Sequence, residues 1–193
     1  MTLAYLARHG ESDWNVAGRF QGVVDRPLTD HGRQQAHELA EELADKDVEA
    51  VYSSPLRRAL DTATIVAARF GLEPIPDAGL REIDVGGWAG LSRAEVESRF
   101  PEGFASWLRG GQGWEGGETY EQMSARVLAA VERIARRHVG GHVLLVSHGG
   151  PIRAIHAAAA GKPVHEYRRI HPVEPNARLS AVAVEDGTFT RID

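Results

Sequence analysis

The chain opens on a short apolar run, Leu3–Ala7, that gives way at once to Arg8, His9, Gly10 and Glu11. A run of that length ending in a polar turn reads as a buried strand. Apolar positions next recur at helical spacing, at Ala36, Leu39, Ala40 and Leu43, and predict a helix from about His31 to Asp45 capped by Thr29 or Asp30. Val48–Ser53 reads as a second strand. Pro55, at a first helical position, opens a helix that runs to Phe70 and stops at Gly71. Glu73–Asp77 fits a short strand, and Ser92 with Glu95 makes a capping box for a short helix that Pro101 ends. Gly110–Gly117 holds five glycines in eight positions and reads as a loop. Met123, Val127, Ala130, Val131 and Ile134 form the inward stripe of a long helix over 118–139, stopped by Gly140-Gly141. His142–Ser147 is a strand with a continuous apolar centre, Val143–Val146, as expected of a strand covered on both faces. A helix from Pro151 to Ala160 follows. Leu179–Val184 and Phe189–Ile192 close the chain as strands around the turn Asp186-Gly187.

Strands alternating with helices imply an α/β fold, a three-layer α/β/α sandwich with a mainly parallel central sheet. The whole chain, residues 1–193, fits one domain of ordinary size. Ligands of such sheets bind beyond the carboxyl ends of the strands. The residues that follow the strands are therefore the ones to read. They are Arg8, His9, Gly10 and Glu11 after the first, Ser54, Pro55, Leu56 and Arg57 after the second, and His148, Gly149 and Gly150 after the third. Two His and two Arg converge on one edge.

Composition narrows the chemistry. There is no cysteine, which excludes a disulfide framework, a thiolate metal site and a cysteine nucleophile. The net charge of −5 argues against nucleic acid or an anionic membrane as partner. No signal peptide or membrane-spanning run is visible, so a cytoplasmic protein is expected. The basic residues are twenty Arg against two Lys, which reflects either codon bias or a need for planar cations that hold an anion.

Histidine can attack phosphorus through one ring nitrogen while a hydrogen bond pins the other. Arginine holds the charge of a phosphoryl group in transfer. Glycines beside each His, Gly10 and Gly149, let backbone N–H groups approach an anion. A leaving alkoxide needs a carboxylic acid; Glu82, in Leu80-Arg81-Glu82-Ile83-Asp84 where another short strand is expected to end, is the candidate, with Glu11 and Asp84 as competitors. His37-Glu38-Leu39-Ala40-Glu41 lacks the second His of a zinc-protease helix, and no GxxxxGK phosphate loop occurs. Asp45-Lys46-Asp47-Val48 precedes its strand, which puts its carboxylates at the wrong edge for an aspartyl-phosphate site.

Arg8-His9-Gly10-Glu11-Ser12 resembles the signature of the histidine phosphatase superfamily, the phosphoglycerate mutase-like family. Further segments resemble it in the same order. They are Asn15 with Arg19, Gln21-Gly22, Asp25, Pro27-Leu28-Thr29 and Gly32; Ser53–Ala59 with Thr62-Ala63; Leu80-Arg81-Glu82 with Gly86, Trp88 and Gly90; and Val146–Gly150. The resemblance implies His9 as nucleophile, Glu82 as general acid and then base, and Arg8, Arg57 and His148 on the phosphate oxygens. Around them it implies Asn15, Gln21, Gly22 and Gly149 as substrate contacts. It implies no metal and no organic cofactor, and a small phosphomonoester as partner of a monomer or homodimer. The expected reaction is hydrolysis through a phosphohistidine. Two alternatives stand beside it: a cofactor-dependent phosphoglycerate mutase, disfavoured by the short stretch between Glu82 and His148 and the scarcity of Lys, and a catalytically silent phospho-ligand-binding module. Arg58 and Arg81 read as surface ion-pair formers, Trp88 as core, and Trp107 and Trp114 as a roof over the substrate. His31, His37, His138, His156, His165 and His171 read as structural.

Overall fold

Val143–Val146, the most continuous apolar run, lies inside a six-stranded sheet, with every side chain buried. The computed structural model describes residues 1–192. Its elements in chain order are β1 (Thr2–Arg8), α1 (Asp13–Val16), α2 (Asp30–Glu42), β2 (Val48–Ser53), α3 (Arg57–Ala68), β3 (Ile75–Pro76), α4 (Arg93–Arg99), α5 (Pro101–Leu108), α6 (Tyr120–Arg137), β4 (His142–Ser147), α7 (Gly149–Ala159), α8 (Val164–Ile170), β5 (Leu179–Glu185) and β6 (Thr188–Arg191). The strand order is β3-β2-β4-β1-β5-β6. The first four of these are mutually parallel, β5 runs antiparallel to β1, and β6 antiparallel to β5.

Alternation along the strands builds a core on each face. Tyr5 and Ala7 of β1 and Leu144 and Val146 of β4 pack on Leu39, Ala40, Ala63 and Val66 of α2 and α3. Ala4, Leu6, Val143 and Leu145 point the other way, onto Val127, Val131, Ile152 and Ile155 of α6 and α7. This is the expected three-layer arrangement.

The differences from expectation lie at boundaries. Arg57, not Pro55, opens α3; its backbone N–H is capped from a distant loop by the Asp25 carboxylate at 2.6 Å. Pro101 ends α4 and also occupies the first turn of α5, a helix that the sequence pattern does not mark. The strand expected over Glu73–Asp77 shrinks to two residues, α7 begins two residues before Pro151, and α8 has no counterpart in the pattern.

Gly10 reads in the sequence as a cradle for an anion. Its position has another cause: it lies back to back with Gly32 in the first turn of α2. A Cβ on Gly10 would strike the Gly32 carbonyl, and one on Gly32 would strike the Glu11 carbonyl. The loop that carries His9 is thus pressed on backbone, with no side chain that can yield. Gly32→Ala is expected to destabilise the fold by about 1–3 kcal/mol or more, seen as a lower urea midpoint; an unchanged midpoint would refute this packing.

Candidate active site

His9 follows the last residue of β1, and its backbone N–H donates to the Ser147 carbonyl at 2.9 Å, extending the β1–β4 ladder by one step. The Asn176 side chain donates to the His9 carbonyl at 2.9 Å. The ring is 2% exposed. Its Nδ1 lies 2.7 Å from the Gly10 carbonyl, which can only accept, so Nδ1 carries the proton and Nε2 keeps its lone pair. Burial, then the charges of Arg58 and Arg8, hold the pKa of His9 well below the ordinary 6.5. The result is a neutral, aimed imidazole, the form a nucleophile requires.

His148 follows β4 as His9 follows β1, and the two rings lie 5.1 Å apart between centroids. It is fully buried, and burial with the nearby Arg58 charge keeps it neutral as well. One ring nitrogen, Nε2, meets the Ser54 hydroxyl at 2.7 Å; the other, Nδ1, has no protein partner.

The second arginine is Arg58, not Arg57. The Arg57 side chain is 59% exposed, pairs with Asp61 one turn on, and does not line the cavity. Arg58 is 1% exposed. Its Nε donates to His9 Nε2 at 3.3 Å, and its two terminal nitrogens donate to the carbonyls of Val24 and Gly22, each at 2.8 Å. Burial pushes its pKa down to about 10, so it remains charged at neutral pH. The signal is present in the helical period: Arg58 shares its face with Thr62, whereas Arg57 shares its face with Asp61. Thr62 completes the lock, accepting from the Gly10 N–H at 3.0 Å and donating to the Arg58 carbonyl at 2.7 Å.

Arg8 donates to the Glu174 carbonyl at 2.7 Å and has a buried Nε without a partner. Glu82 accepts from the backbone N–H of Ile83 at 2.9 Å and of Gly150 at 3.2 Å. A Cβ on Gly150 would strike the Glu82 carboxylate, so this glycine makes room for the acid. The competitors are accounted for elsewhere: Glu11 accepts from the Thr29 hydroxyl and Asp84 from the Gly86 N–H.

Arg8, His9, Arg58 and Glu82 line a cavity of about 460 Å³. Asn15, Gln21, Gly22 and Gly149 line it too, while His148, buried beside the His9 ring, does not. Asn15 and Gln21 meet at Ser12, whose hydroxyl lies 2.9 Å from both amide oxygens and has one proton to donate between them. Trp107 and Trp114 line the cavity and Trp88 is buried in the core behind them. Arg81 stays outside this cavity. Arg93, Tyr120, Arg153 and Arg168, which sequence reasoning passes over, also form its wall. The remaining histidines lie off the site, with His31 on Gln35, His138 on Tyr52 and His156 on Ser180. Among the described residues no group of three or more His, Asp or Glu is placed to hold a metal ion, and no helix is long and apolar enough to cross a membrane.

The family model described as the histidine phosphatase superfamily (branch 1) matches residues 4–192. The chain belongs to the histidine phosphatase superfamily. A metal-independent phosphoserine phosphatase of Arabidopsis thaliana is 40% identical over 172 residues, covering 84% of this chain and 72% of the relative. A probable phosphoglycerate mutase of Yersinia pestis is 35% identical over 194 residues, covering 98% and 88%. The solved structure of Bacillus stearothermophilus YhfR superposes with a TM-score of 0.93 at 34% identity, covering 100% of this chain and 96% of that one.

For this histidine phosphatase, Arg58→Ala is expected to lower kcat/KM about 10²–10³-fold, and Arg57→Ala to change it about twofold at most. Steady-state kinetics of the pair decide between them; equal losses would contradict the geometry. The two depressed histidines also set a pH dependence. Each takes up its proton more readily in the unfolded chain, so both favour folding above about pH 6.5 and lose that contribution as pH falls toward their folded values. The urea midpoint should drop on acidification below pH 6.5, while ¹⁵N shifts should show His9 still neutral at about pH 6. An imidazolium at that pH would contradict the burial argument.

Proposed function

We propose that residues 1–193 act as a single phosphatase domain that hydrolyses small phosphomonoesters, without a metal, through a phosphohistidine. One observation carries this reading: His9 presents an unprotonated Nε2 beside the buried guanidinium of Arg58, with its other nitrogen pinned to a carbonyl.

In the first step the Nε2 lone pair attacks phosphorus, the bond to the ester oxygen breaks, and Glu82 in its acid form passes a proton to the leaving oxygen. Arg8 and Arg58 face the three phosphoryl oxygens, and Nδ1 of His148, the ring nitrogen with no protein partner, is left to contact one of them. Nδ1–H of His9 and the Gly10 carbonyl share the positive charge that develops on the ring. In the second step Glu82, now a carboxylate, takes a proton from water; the oxygen attacks phosphorus, the P–N bond breaks and phosphate leaves. The same carboxylate serves both steps because the Gly150 N–H fixes its position.

A mutase reading keeps some support. A chain named as a probable mutase matches nearly all of this one, so length does not separate the two, and the cavity wall carries arginines where the scarcity of Lys suggests few cations. The difference is the acceptor, water or a second hydroxyl. The binding-module reading loses its ground, because nucleophile, acid and both cations stand together.

A ³²P-labelled phosphomonoester should leave acid-labile, base-stable label on the wild-type protein and none on His9→Ala. Glu82→Gln should slow turnover about 10²–10⁴-fold and still accumulate label. Label persisting in His9→Ala would overturn the assignment, and isomer formation outpacing phosphate release from 3-phosphoglycerate would favour the mutase.

A further inference from the structure

His9 and His148 follow strand ends, but Glu82 does not. The sequence pattern lets a short strand end beside it; the structure has a single 3-10 turn over Ala78–Leu80 and then irregular backbone to Val85. No sheet ladder fixes the acid, so the carbonyls of its segment need other partners. Four in succession find them. The Leu80 carbonyl accepts from the Ser147 hydroxyl at 2.7 Å. The carbonyls of Gly79, Arg81 and Glu82 all accept from one side chain, Arg126 of α6, at 2.9, 2.8 and 3.4 Å, the last at the long end of the range.

Arg126 is itself oriented. Its Nε and one terminal nitrogen hold the two carboxylate oxygens of Glu118 at 2.8 and 2.5 Å, the side-on fork in which guanidinium and carboxylate geometries match. The two side chains are only 21% and 19% exposed, which sets this pair apart from the solvated ion pairs of the surface. The Glu118 backbone N–H donates to the Asp84 carbonyl at 2.9 Å, so the pair grips the segment on both sides of Glu82. A Cβ on Gly79 would strike that of Ala130, one turn along α6 from Arg126, so the segment lies directly on this helix. Neither Arg126 nor Glu118 lines the catalytic cavity. They line a separate recess of about 440 Å³ that shares only Glu82 with it among the described residues.

We infer that Arg126, oriented by Glu118, is a positioning residue for Glu82: it sets the reach of the carboxyl group toward the leaving oxygen and then toward the attacking water. The N–H groups of Ile83 and Gly150 orient the carboxylate, and Arg126 holds the backbone from which it projects. A displacement of about 1 Å at a reacting group costs on the order of 10²-fold in rate.

The inference rests on the reading of Glu82 as general acid, and its test separates the two. Single-turnover cleavage, with enzyme in excess, isolates the first step for two esters. p-Nitrophenyl phosphate releases a stable phenolate and needs no acid; glycerol 3-phosphate releases an alkoxide and needs one. Glu82→Gln should slow the alkyl ester about 10²–10⁴-fold and the aryl ester far less. Arg126→Gln should reproduce that selectivity at smaller size, about 10–100-fold on the alkyl ester, with aryl cleavage nearly unchanged. Arg126→Lys keeps the cation without the fork and should fall between Arg126→Gln and wild type. On the Glu82→Gln background, Arg126→Gln should cost nothing further, because the group it positions is gone. Equal slowing of both esters by the Arg126 variants, or losses that multiply in the double variant, would leave Arg126 a merely structural role and overturn the inference. Where Arg126→Gln does not fold, Arg126→Lys carries the same two comparisons. Selectivity in Glu82→Gln but in neither Arg126 variant sinks the positioning alone. No selectivity in Glu82→Gln sinks the reading of Glu82 as acid, and the inference with it.

Discussion

The pairing of β1 with β4 is the constraint from which the site follows. The two strands are far apart in sequence but adjacent and parallel in the sheet, with Arg8 opposite Ser147. The next residue on each strand is a histidine, so His9 and His148 must emerge side by side where the strands end. Both faces of this pair are buried, and side chains alternate between them. A slip of one residue would send Tyr5 and Ala7 into the wrong core and turn His9 away from its partner. Core packing and catalytic geometry are therefore specified by the same register, and β2 extends it by bringing Ser54 onto His148.

Electrostatics sets the second constraint. A site for a phosphoryl group needs positive charge held out of water, and carboxylate counterions would stabilise that charge while cancelling it. The chain anchors its arginines on carbonyl oxygens instead: Arg8 on Glu174, Arg58 on Val24 and Gly22, Arg168 on Trp107. A carbonyl orients a guanidinium through its dipole and leaves the full charge facing the cavity. The two histidines take the opposite course and give up their protons, which limits the repulsion and leaves Nε2 of His9 unprotonated. Glu82, the one carboxylate in the wall among the described residues, is fixed by backbone N–H groups, so its position does not depend on pairing with the cations beside it.

Much of this is legible in the chain. The strands announce themselves through apolar runs, and Arg8 at the end of β1 and His9, His148 and the Ser54 turn just past the strand ends stand where the pattern puts them. The capping residues Thr29 and Ser92 and the stripe of α6 lie where the pattern puts them. What escapes is whatever depends on contacts between distant segments. Arg57 and Arg58 are indistinguishable as neighbours in a sequence and separate only when the helix turns one toward Thr62 and the other toward solvent. The cap on α3 comes from Asp25, in another loop, so Pro55 misleads. Gly10 and Gly150 have packing partners, Gly32 and Glu82, that no local rule discloses. Arg153 and Arg168 sit on helices outside every motif and become part of the site only through folding.

Hydrolysis and mutase chemistry share everything at the phosphoryl end, so the partition between them has to be decided elsewhere on the cavity wall. On the proposed phosphohistidine route, the dephosphorylated product either departs or offers a hydroxyl to the same phosphorus. Water wins when the product leaves faster than the phosphoryl group returns. Whatever grip the cavity wall has on that product is therefore a kinetic term as well as a selective one: each tenfold in affinity is about 1.4 kcal/mol and lengthens residence in proportion if association is unchanged. A wall that recognised an anionic product through neutralised, ion-paired cations would release quickly and select poorly. One that surrounded it with unpaired guanidiniums on all sides would retain it for retransfer. Arg168, held by the Trp107 carbonyl over the Tyr120 ring, and Arg153 are the cations that helices outside every motif add to that wall.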